Sequence, residues 1–550
     1  MSNYTIHIDY NLEGKKRIIK QSDENILITE NYLDNRITIK LSTRKATAIN
    51  KIYLERDYNF SENDRFFANG FQSWTDTKEF EKSEKMPGIG FVGSTPIGKN
   101  MGLQYVGDYT FTNSYKTKRG VFHSNSYAYI RKGNIYDLIG SLSDRTGYTI
   151  IEADMNNNKI RIYKDLEGIT INGEYTAFDL FTKKGEYDEI FDSYFDAMNI
   201  KPLTDKKIKG YTSWYNYYQN INEDVILRDL NALCSKANGL FDTFQIDDGY
   251  QVAVGEWLNV DKKKFPNGMK PIAQAIHKNN LQAGIWLAPF GIQHNSQLVK
   301  QHPDWLICNE NGKPICVGGN WGGFYAVDIY NEEVRDYIKK FFNVILNEWG
   351  YDLVKLDFLY AAAILPRNNK TRGEIMYDAI DLIREAVGDN KKILGCGVQM
   401  MPCFGKVEYM RIGADMSLNW KNSFSRKMMH REDVSTINAL NNSIYRRHLN
   451  ERAFLCDPDV FLIRDYNVKF TFEQRKLLAK FIKIFGGVIF TSDDVNRYNK
   501  EQFECLRDTF SEDGAKLISV DVNNDICVVD YIENKKAKKL VFNIMTGEHN

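Results

Sequence analysis

The feature that most constrains the fold of this chain is an alternation of short apolar strands and amphipathic helices from about residue 200 to residue 490. The intervening segments, such as residues 331–349 and 373–387, carry apolar residues three and four positions apart, which is typical of helices that pack on a sheet. Repeated units of this kind predict a (β/α)8 barrel, which we place at residues 196–498.

Nine apolar segments compete for the eight strand positions of this barrel. Segment 323–329 is the weakest of them, so the strand assignment stays open at this point. The candidates are residues 209–218, 241–250, 281–290, 323–329, 352–360, 391–397, 409–420, 453–463 and 487–493.

The two flanking regions have a different pattern. Residues 1–195 alternate or cluster β-branched and aromatic residues between polar turns and lack long helical periodicity, which predicts an N-terminal antiparallel β-sandwich. Residues 499–550 contain three further strand patterns and predict a small C-terminal antiparallel β domain.

Charge and cysteine content narrow the functional class. Lys plus Arg and Asp plus Glu both number 72, and a net charge of zero argues against a general binder of nucleic acids or anionic membranes. No segment reaches the roughly 18 apolar residues of a membrane span, and the first residues do not resemble a signal peptide. The eight cysteines form no CxxC pair, which is typical of a reducing compartment and gives no metal-site spacing. We therefore expect a cytoplasmic protein without a metal or cofactor, and we make no prediction of its oligomeric state.

Polar side chains collect at the strand ends of the predicted barrel, where barrel enzymes have their active sites. A single aspartate there is often only the N-cap of the next helix. Capping does not explain a set that combines carboxylates, cations, a thiol and an aromatic ring on five strands. The set comprises Asp247, Asp248, Trp286, Lys355, Asp357, Cys396, Arg411 and Asp415.

Lys355 and Asp357 are the most informative members of the set. In an extended strand they lie on the same side, within an otherwise apolar run, and burying either charge alone is costly. A structural ion pair and a functional site explain this pattern equally well when the strand is considered alone.

Two carboxylates in different environments are what glycoside cleavage requires. Lys355 favours the ionised form of Asp357, which suits a nucleophile, and Asp415 is then the candidate acid. Because contact with Arg411 would oppose protonation of Asp415, we expect Arg411 to point at substrate or at another carboxylate. Asp247 and Asp248 suit the sugar hydroxyls, and Trp286 offers an apolar ring to one face of the sugar.

Six segments together resemble the compact α-galactosidases of glycoside hydrolase family 36. That family also has an N-terminal β-sandwich, a central barrel and a small C-terminal β domain, so the resemblance covers almost the whole chain. The segments are FQIDDGYQ, GEWLNVDKKKFPNGMK, GIWLAPF, DLVKLDFLYAA, LGCG and MRIGADMSLNW.

The resemblance implies an exo-acting, retaining α-galactosidase that releases terminal α-linked galactose from small oligosaccharides by double displacement. It implies that Asp357 is the nucleophile and Asp415 the general acid/base. It places seven side chains around the terminal sugar, including Trp74 from an aromatic loop of the sandwich: Trp74, Asp247, Asp248, Trp286, Lys355, Cys396 and Arg411. Asp457 and Asp459 match a strand-end motif that we expect to support the barrel rim.

Two other functions stay open. An α-N-acetylgalactosaminidase would need only a wider wall beside the sugar C2, and a non-catalytic carbohydrate-binding protein could use the same fold.

Two segments depart from the family pattern. Residues 399–409 carry bulky and charged side chains that we expect near the leaving group, and residues 320–324 add an aromatic loop whose direction the sequence does not indicate.

Overall fold

The computed structural model describes residues 4–89, 95–110, 117–420, 431–511 and 515–549. It contains an N-terminal antiparallel β-sandwich, a central parallel barrel and a C-terminal antiparallel sheet, which confirms the predicted fold class.

The N-terminal sandwich is built around one long strand, β4. Its first half pairs with β3 and β12, and its second half pairs with β1 and β11. Alternate residues of β4, such as Ile39 and Leu54, are fully buried, as the period of two requires. The strands are β1 Thr5–Leu12, β2 Lys15–Ile19, β3 Ile26–Leu33, β4 Arg36–Asp57, β5 Arg65–Ala68, β6 Lys78–Glu81, β7 Val121–Asn125, β8 Tyr127–Lys132, β9 Ile135–Ser141, β10 Thr149–Asp154, β11 Lys159–Lys164 and β12 Thr170–Gly185.

The barrel strands pair in parallel throughout, and the short strand β23 follows β22 in the same segment. The strands are β13 Ile208–Thr212, β14 Thr243–Ile246, β15 Gln282–Leu287, β19 Leu353–Leu356, β20 Lys392–Gly395, β21 Tyr409–Arg411, β22 Leu455–Asp457, β23 Val460–Phe461 and β24 Val488–Thr491.

The ring closes through the interrupted segment 455–461. Strand β22 pairs with β21 on one side, and β23 pairs with β24 on the other. Pro458 and Asp459 separate the two halves, and Asp459 has a φ of 85°. The seventh strand is therefore broken at the position from which its aspartates reach the barrel interior.

Segment 323–329 is not a barrel strand. It contributes β18 (Phe324–Ala326), which pairs with β16 (Gly291–Gln293) and β17 (Cys316–Gly318) in a small antiparallel sheet. Segment 487–493 contains β24 and takes the eighth position in the barrel. The small sheet carries the aromatic loop 320–324 to the carboxyl end of the barrel.

Helices cover the barrel, and several begin at side-chain caps that the sequence encodes, such as Asn222 and Thr371. Among the described residues, no helix is long and apolar enough to cross a membrane. The α-helices are α1 Pro96–Asn100, α2 Tyr187–Met198, α3 Trp214–Tyr217, α4 Glu223–Lys236, α5 Lys270–Lys278, α6 Gln297–Gln301, α7 Glu332–Asn343, α8 Arg372–Val387, α9 Thr436–Tyr445, α10 Phe472–Phe485 and α11 Lys500–Phe510.

One predicted domain boundary falls inside a helix and the other falls at the start of a helix. Residue 195 falls inside α2, and α11 follows residue 499 and packs against α10. The C-terminal sheet itself consists of β25 (Lys516–Asn523), β26 (Ile526–Glu533) and β27 (Lys536–Asn543). A continuous hydrophobic core joins this sheet, the barrel and one face of the sandwich.

Arg446 fastens the aromatic loop of the sandwich to the barrel. It is fully buried, and all five of its N–H donors have acceptors. Four bonds go to the loop, at Asn69 Oδ1 and the carbonyls of Gly70, Gln72 and Ser73; the fifth goes to the Ile412 carbonyl, 2.8 Å away. Burial lowers the pKa of Arg446 to about 10. One guanidinium thus fixes the position of the segment that carries Trp74.

Replacement of Arg446 by Met should lower the free energy of unfolding by about 3–5 kcal/mol, because it leaves buried carbonyls without donors. Urea unfolding followed by tryptophan fluorescence measures the change. The exposed Arg44, replaced in the same way, is the control and should change stability by less than about 0.5 kcal/mol. Equal effects of the two replacements would contradict the role of Arg446.

Candidate active site

Asp357 lies at the carboxyl end of β19, the fourth barrel strand. Its backbone N–H donates to Leu287 O at 2.8 Å, and the next residue, Phe358, turns the chain with a φ of 53°. Its carboxylate accepts a hydrogen bond from Trp286 Nε1 at 3.1 Å and another from the Phe358 N–H at 3.0 Å. Asp357 is therefore held in one orientation with 9% of its surface exposed.

The ion-pair partner of Lys355 is Asp247 and not Asp357. Lys355 Nζ lies 2.9 Å from Asp247 Oδ2, and both side chains are buried. Gln245 Nε2 donates to the same oxygen at 2.8 Å. The pair joins the second and fourth barrel strands across the interior, which the strand period alone could not indicate.

Asp248 is surrounded by three donors. Gln251 Nε2 lies 2.6 Å from Oδ1, while Gln219 Nε2 and Trp321 Nε1 each lie 2.8 Å from Oδ2. Gln219 and Gln251 were not predicted from the sequence as partners of Asp248. The aromatic loop 320–324 was noticed, and the structure directs its tryptophan to this carboxylate.

Trp74 reaches the barrel from the sandwich. Its Nε1 donates to Cys396 Sγ at 3.3 Å, and its ring packs edge-on against Phe358 at 5.0 Å between centroids. Gly397 has a φ of +59°, and a Cβ there would lie 2.7 Å from Trp74 Cζ2. The glycine of the LGCG segment therefore leaves room for Trp74.

Arg411 lies beneath a cluster of carboxylates. Its Nη2 is 2.8 Å from Asp415 Oδ1 and 2.6 Å from Asp459 Oδ2. We expected Arg411 to point at substrate or at another carboxylate; it does contact another carboxylate, Asp459, and it contacts Asp415 as well. Its Nη1 lies 3.9 Å from Asp457 Oδ2. The Tyr215 hydroxyl accepts a hydrogen bond from Arg411 and donates one to Asp459.

Asp415 is the accessible member of this cluster. Its side chain is 34% exposed, whereas those of Asp457 and Asp459 are almost completely buried. Trp214 Nε1 donates to Asp415 Oδ2 at 3.2 Å. The arrangement leaves Asp415 as the carboxylate that an incoming molecule can reach.

Burial dominates the electrostatics of the site. It raises the pKa of Asp357, and the Lys355 cation opposes this rise without cancelling it. Lys355 acts in the expected direction, towards the ionised form of Asp357, but desolvation acts in the opposite direction and is the larger effect. Burial also raises the pKa of Asp459 to about 7, against the attraction of Arg411.

The segment 399–409 does not place its acidic residue near the predicted leaving group. Glu408 precedes β21 and is bonded to Arg384 and to the Ile393 N–H, both at 2.8 Å, at the amino end of the barrel.

Within the described residues, no group of three or more His, Cys, Asp and Glu side chains is arranged to hold a metal ion.

Known proteins resemble this chain in sequence over part of its length and in fold over nearly all of it. A family model described as Melibiase matches residues 205–381. Over nearly the whole chain, the structure resembles TtGalA, an α-galactosidase from Thermus thermophilus solved with p-nitrophenyl α-D-galactopyranoside. The two are 25% identical, the match covers 96% of this chain and 98% of that one, and the TM-score is 0.73. Together the comparisons support a place in the melibiase family, glycoside hydrolase family 36.

Other α-galactosidases match this chain over shorter stretches or in fold alone. α-Galactosidase Mel36A of Lactobacillus acidophilus is 34% identical over 153 residues, which are 26% of this chain and 20% of Mel36A. The GH36 α-galactosidase AgaA of Geobacillus stearothermophilus shares the fold at 12% identity, with a TM-score of 0.62 over 94% of this chain and 72% of its own. The chain thus aligns with about a fifth of Mel36A.

Replacing Gly397 by Ala should displace Trp74 and destabilise the protein by about 2–4 kcal/mol, because it adds a steric clash to the strain of positive φ. Urea unfolding followed by tryptophan fluorescence measures the loss of stability. Gly268 also has a positive φ, +77°, but a Cβ there would meet only Lys262 Nζ at 3.7 Å. Replacing Gly268 by Ala therefore adds the backbone strain of positive φ without the steric clash. Equal losses of stability in the two variants would contradict a clash at Gly397.

Proposed function

We propose that this protein is an exo-acting, retaining α-galactosidase that releases terminal α-linked galactose from oligosaccharides. The observation that carries the proposal is the environment of Asp357, a buried carboxylate at a barrel strand end that accepts a hydrogen bond from Trp286. The negative charge of the accessible Asp415 contributes to raising the pKa of Asp357. Two carboxylates in unlike environments fit double displacement.

In the first step, Asp357 attacks the sugar C1 and the bond from C1 to the leaving oxygen breaks. Asp415 gives its proton to that oxygen, and a galactosyl ester of Asp357 remains. In the second step, Asp415 takes a proton from water, whose oxygen attacks C1 and releases Asp357. Two inversions at C1 leave galactose with its α configuration.

The contacts of Asp357 prepare it for the first step. Hydrogen bonds from Trp286 to Oδ2 and from the Phe358 N–H to Oδ1 fix the carboxylate before substrate arrives, so that little reorganisation is needed. Lys355 supplies a nearby positive charge that limits the rise of the Asp357 pKa caused by burial.

The cluster around Arg411 suits an acid/base group. One guanidinium contacts three carboxylates, of which Asp457 and Asp459 are almost completely buried. Asp415 is the member of the three that is exposed enough to exchange a proton with a leaving group or water.

Trp74 and Trp321 bound the site from two directions, from the sandwich and from the small β16–β18 sheet. We propose that they limit the site to one terminal sugar, which accounts for exo action. Two structures of the related TtGalA contain small galactosides, p-nitrophenyl α-D-galactopyranoside in one and stachyose in the other.

All eight cysteines are free thiols, which supports a reducing, cytoplasmic location.

A second candidate activity is removal of α-linked N-acetylgalactosamine. A relative from Flavonifractor plautii, named an A type blood α-D-galactosamine galactosaminidase, is 28% identical over 146 residues. Turnover of nitrophenyl α-galactoside compared with its N-acetylgalactosamine counterpart separates the two. A preference for the N-acetylated substrate would replace the first proposal.

Replacing Asp357 by Ala should lower kcat by at least about 10⁴-fold without unfolding the protein, since it removes the nucleophile. Hydrolysis of nitrophenyl α-galactoside gives the rate, and NMR of the native reaction should show α-galactose as the first product. Asp389, an exposed aspartate in the turn before β20, provides the matched Ala control. Full activity of the Asp357 variant, or β-galactose as first product, would refute the mechanism; an inactive native protein would favour a sugar-binding role.

Replacing Lys355 by Met should move the acidic limb of kcat/KM to higher pH by about 1 unit or more. The Lys355 cation lowers the pKa of Asp357, so its loss raises that pKa, and the attacking carboxylate becomes protonated at a higher pH. The pH profile of nitrophenyl galactoside hydrolysis measures the shift. Lys392, bonded to Gln282 at the amino end of β20, is the control for the same change; an unmoved limb in the Lys355 variant would exclude this electrostatic role.

A further inference from the structure

Trp321 is held in an unusual backbone conformation. Its φ of 56° and ψ of 24° lie in the left-handed region, which a bulky residue rarely adopts. Gly323 follows with a φ of +113°, and a Cβ there would lie 2.3 Å from His294 Cε1. The loop therefore reaches this shape only with a glycine at 323, and the shape directs the indole of Trp321 into the site.

The indole N–H of Trp321 donates to Asp248 Oδ2 at 2.8 Å. With Gln219 on the same oxygen and Gln251 on Oδ1, the carboxylate has three fixed donors and room to accept about one more. Asp248 is 2% exposed, so these donors fix where a sugar hydroxyl can bind it.

The ring of Trp321 also forms part of the wall beside the nucleophile. Its centroid lies 5.9 Å from that of Trp286 and 4.9 Å from that of Phe358. Trp286 bonds Asp357, and Phe358 follows it in the chain. Trp321 therefore connects the Asp248 side of the site to the Asp357 side.

We propose that Trp321 is a specificity-determining residue, which aims Asp248 at a single galactose hydroxyl and closes the wall beside that hydroxyl. The inference rests on the proposed galactosidase function and assigns it a residue from the small β16–β18 sheet. Loss of the indole N–H alone should weaken recognition of that one hydroxyl and leave the others unaffected.

The test compares the native protein with W321F on nitrophenyl α-galactoside and on four analogues that each lack the 2-, 3-, 4- or 6-hydroxyl. Asp248→Asn identifies the analogue that reports on Asp248. W321F should lower kcat/KM for the parent galactoside about tenfold, the size of one hydrogen bond to a charged acceptor, mainly through KM. The loss should vanish for the analogue that Asp248→Asn marks and persist for the other three.

The matched control is W305F. Trp305 is also buried and donates to a carboxylate, Glu333 Oε2 at 3.1 Å, away from the site. W305F should keep the native kcat/KM on all five substrates. An equal loss for W321F on every analogue, or no loss at all, would overturn the proposal, since packing alone has no preference for one hydroxyl.

Galactose binding, measured by calorimetry, separates failure of this inference from failure of the proposed function. If the native protein hydrolyses no α-galactoside, the proposed function fails, and the affinity for galactose then decides the role of Trp321. An affinity about tenfold weaker in W321F and unchanged in W305F supports the role. An unchanged affinity in W321F, or no binding to the native protein, overturns it.

Discussion

The ion pair between Lys355 and Asp247 is the interaction on which the rest of the site depends. It joins the second and fourth strands inside the barrel, where neither charge can be solvated. Breaking such a buried pair by removing one partner costs about 3–5 kcal/mol. Because each member fixes the other, the ends of both strands keep their geometry. Asp248 and Asp357 lie at those two strand ends and are positioned with them.

The second constraint is the attachment of the sandwich to the barrel. Arg446 bonds the loop that precedes Trp74, and Trp74 in turn reaches Cys396 and packs on Phe358. The N-terminal domain thus supplies a wall of the site and does more than cover the barrel. Gly397 completes this arrangement because only a residue without Cβ leaves space for the indole.

The alternation of strand and helix patterns predicted the barrel and the polar side chains at its strand ends, but it did not decide which of nine segments form the eight strands. Partners that come from different elements could not be predicted in this way. The pairing of Lys355 with Asp247 depends on barrel closure, and the three donors to Asp248 come from separate loops. The contact of Trp321 depends on a left-handed backbone, which no local pattern of apolar residues indicates.

The same limit applies to the electrostatics. Neighbouring charges in the sequence suggested that Lys355 favours the ionised form of Asp357 and that Arg411 points at substrate or at a carboxylate other than Asp415. Burial outweighs the first effect, and Arg411 bonds Asp415 and Asp459 together. Burial therefore affects the pKa of the proposed nucleophile, Asp357, more than the Lys355 cation does.

The most direct test of Asp357 as the nucleophile is mass spectrometry of the protein quenched during turnover of a slow 2-fluoro galactoside. We predict one added fluorogalactosyl group on the peptide that contains Asp357; a label on another carboxylate, or none while product forms, would contradict the account.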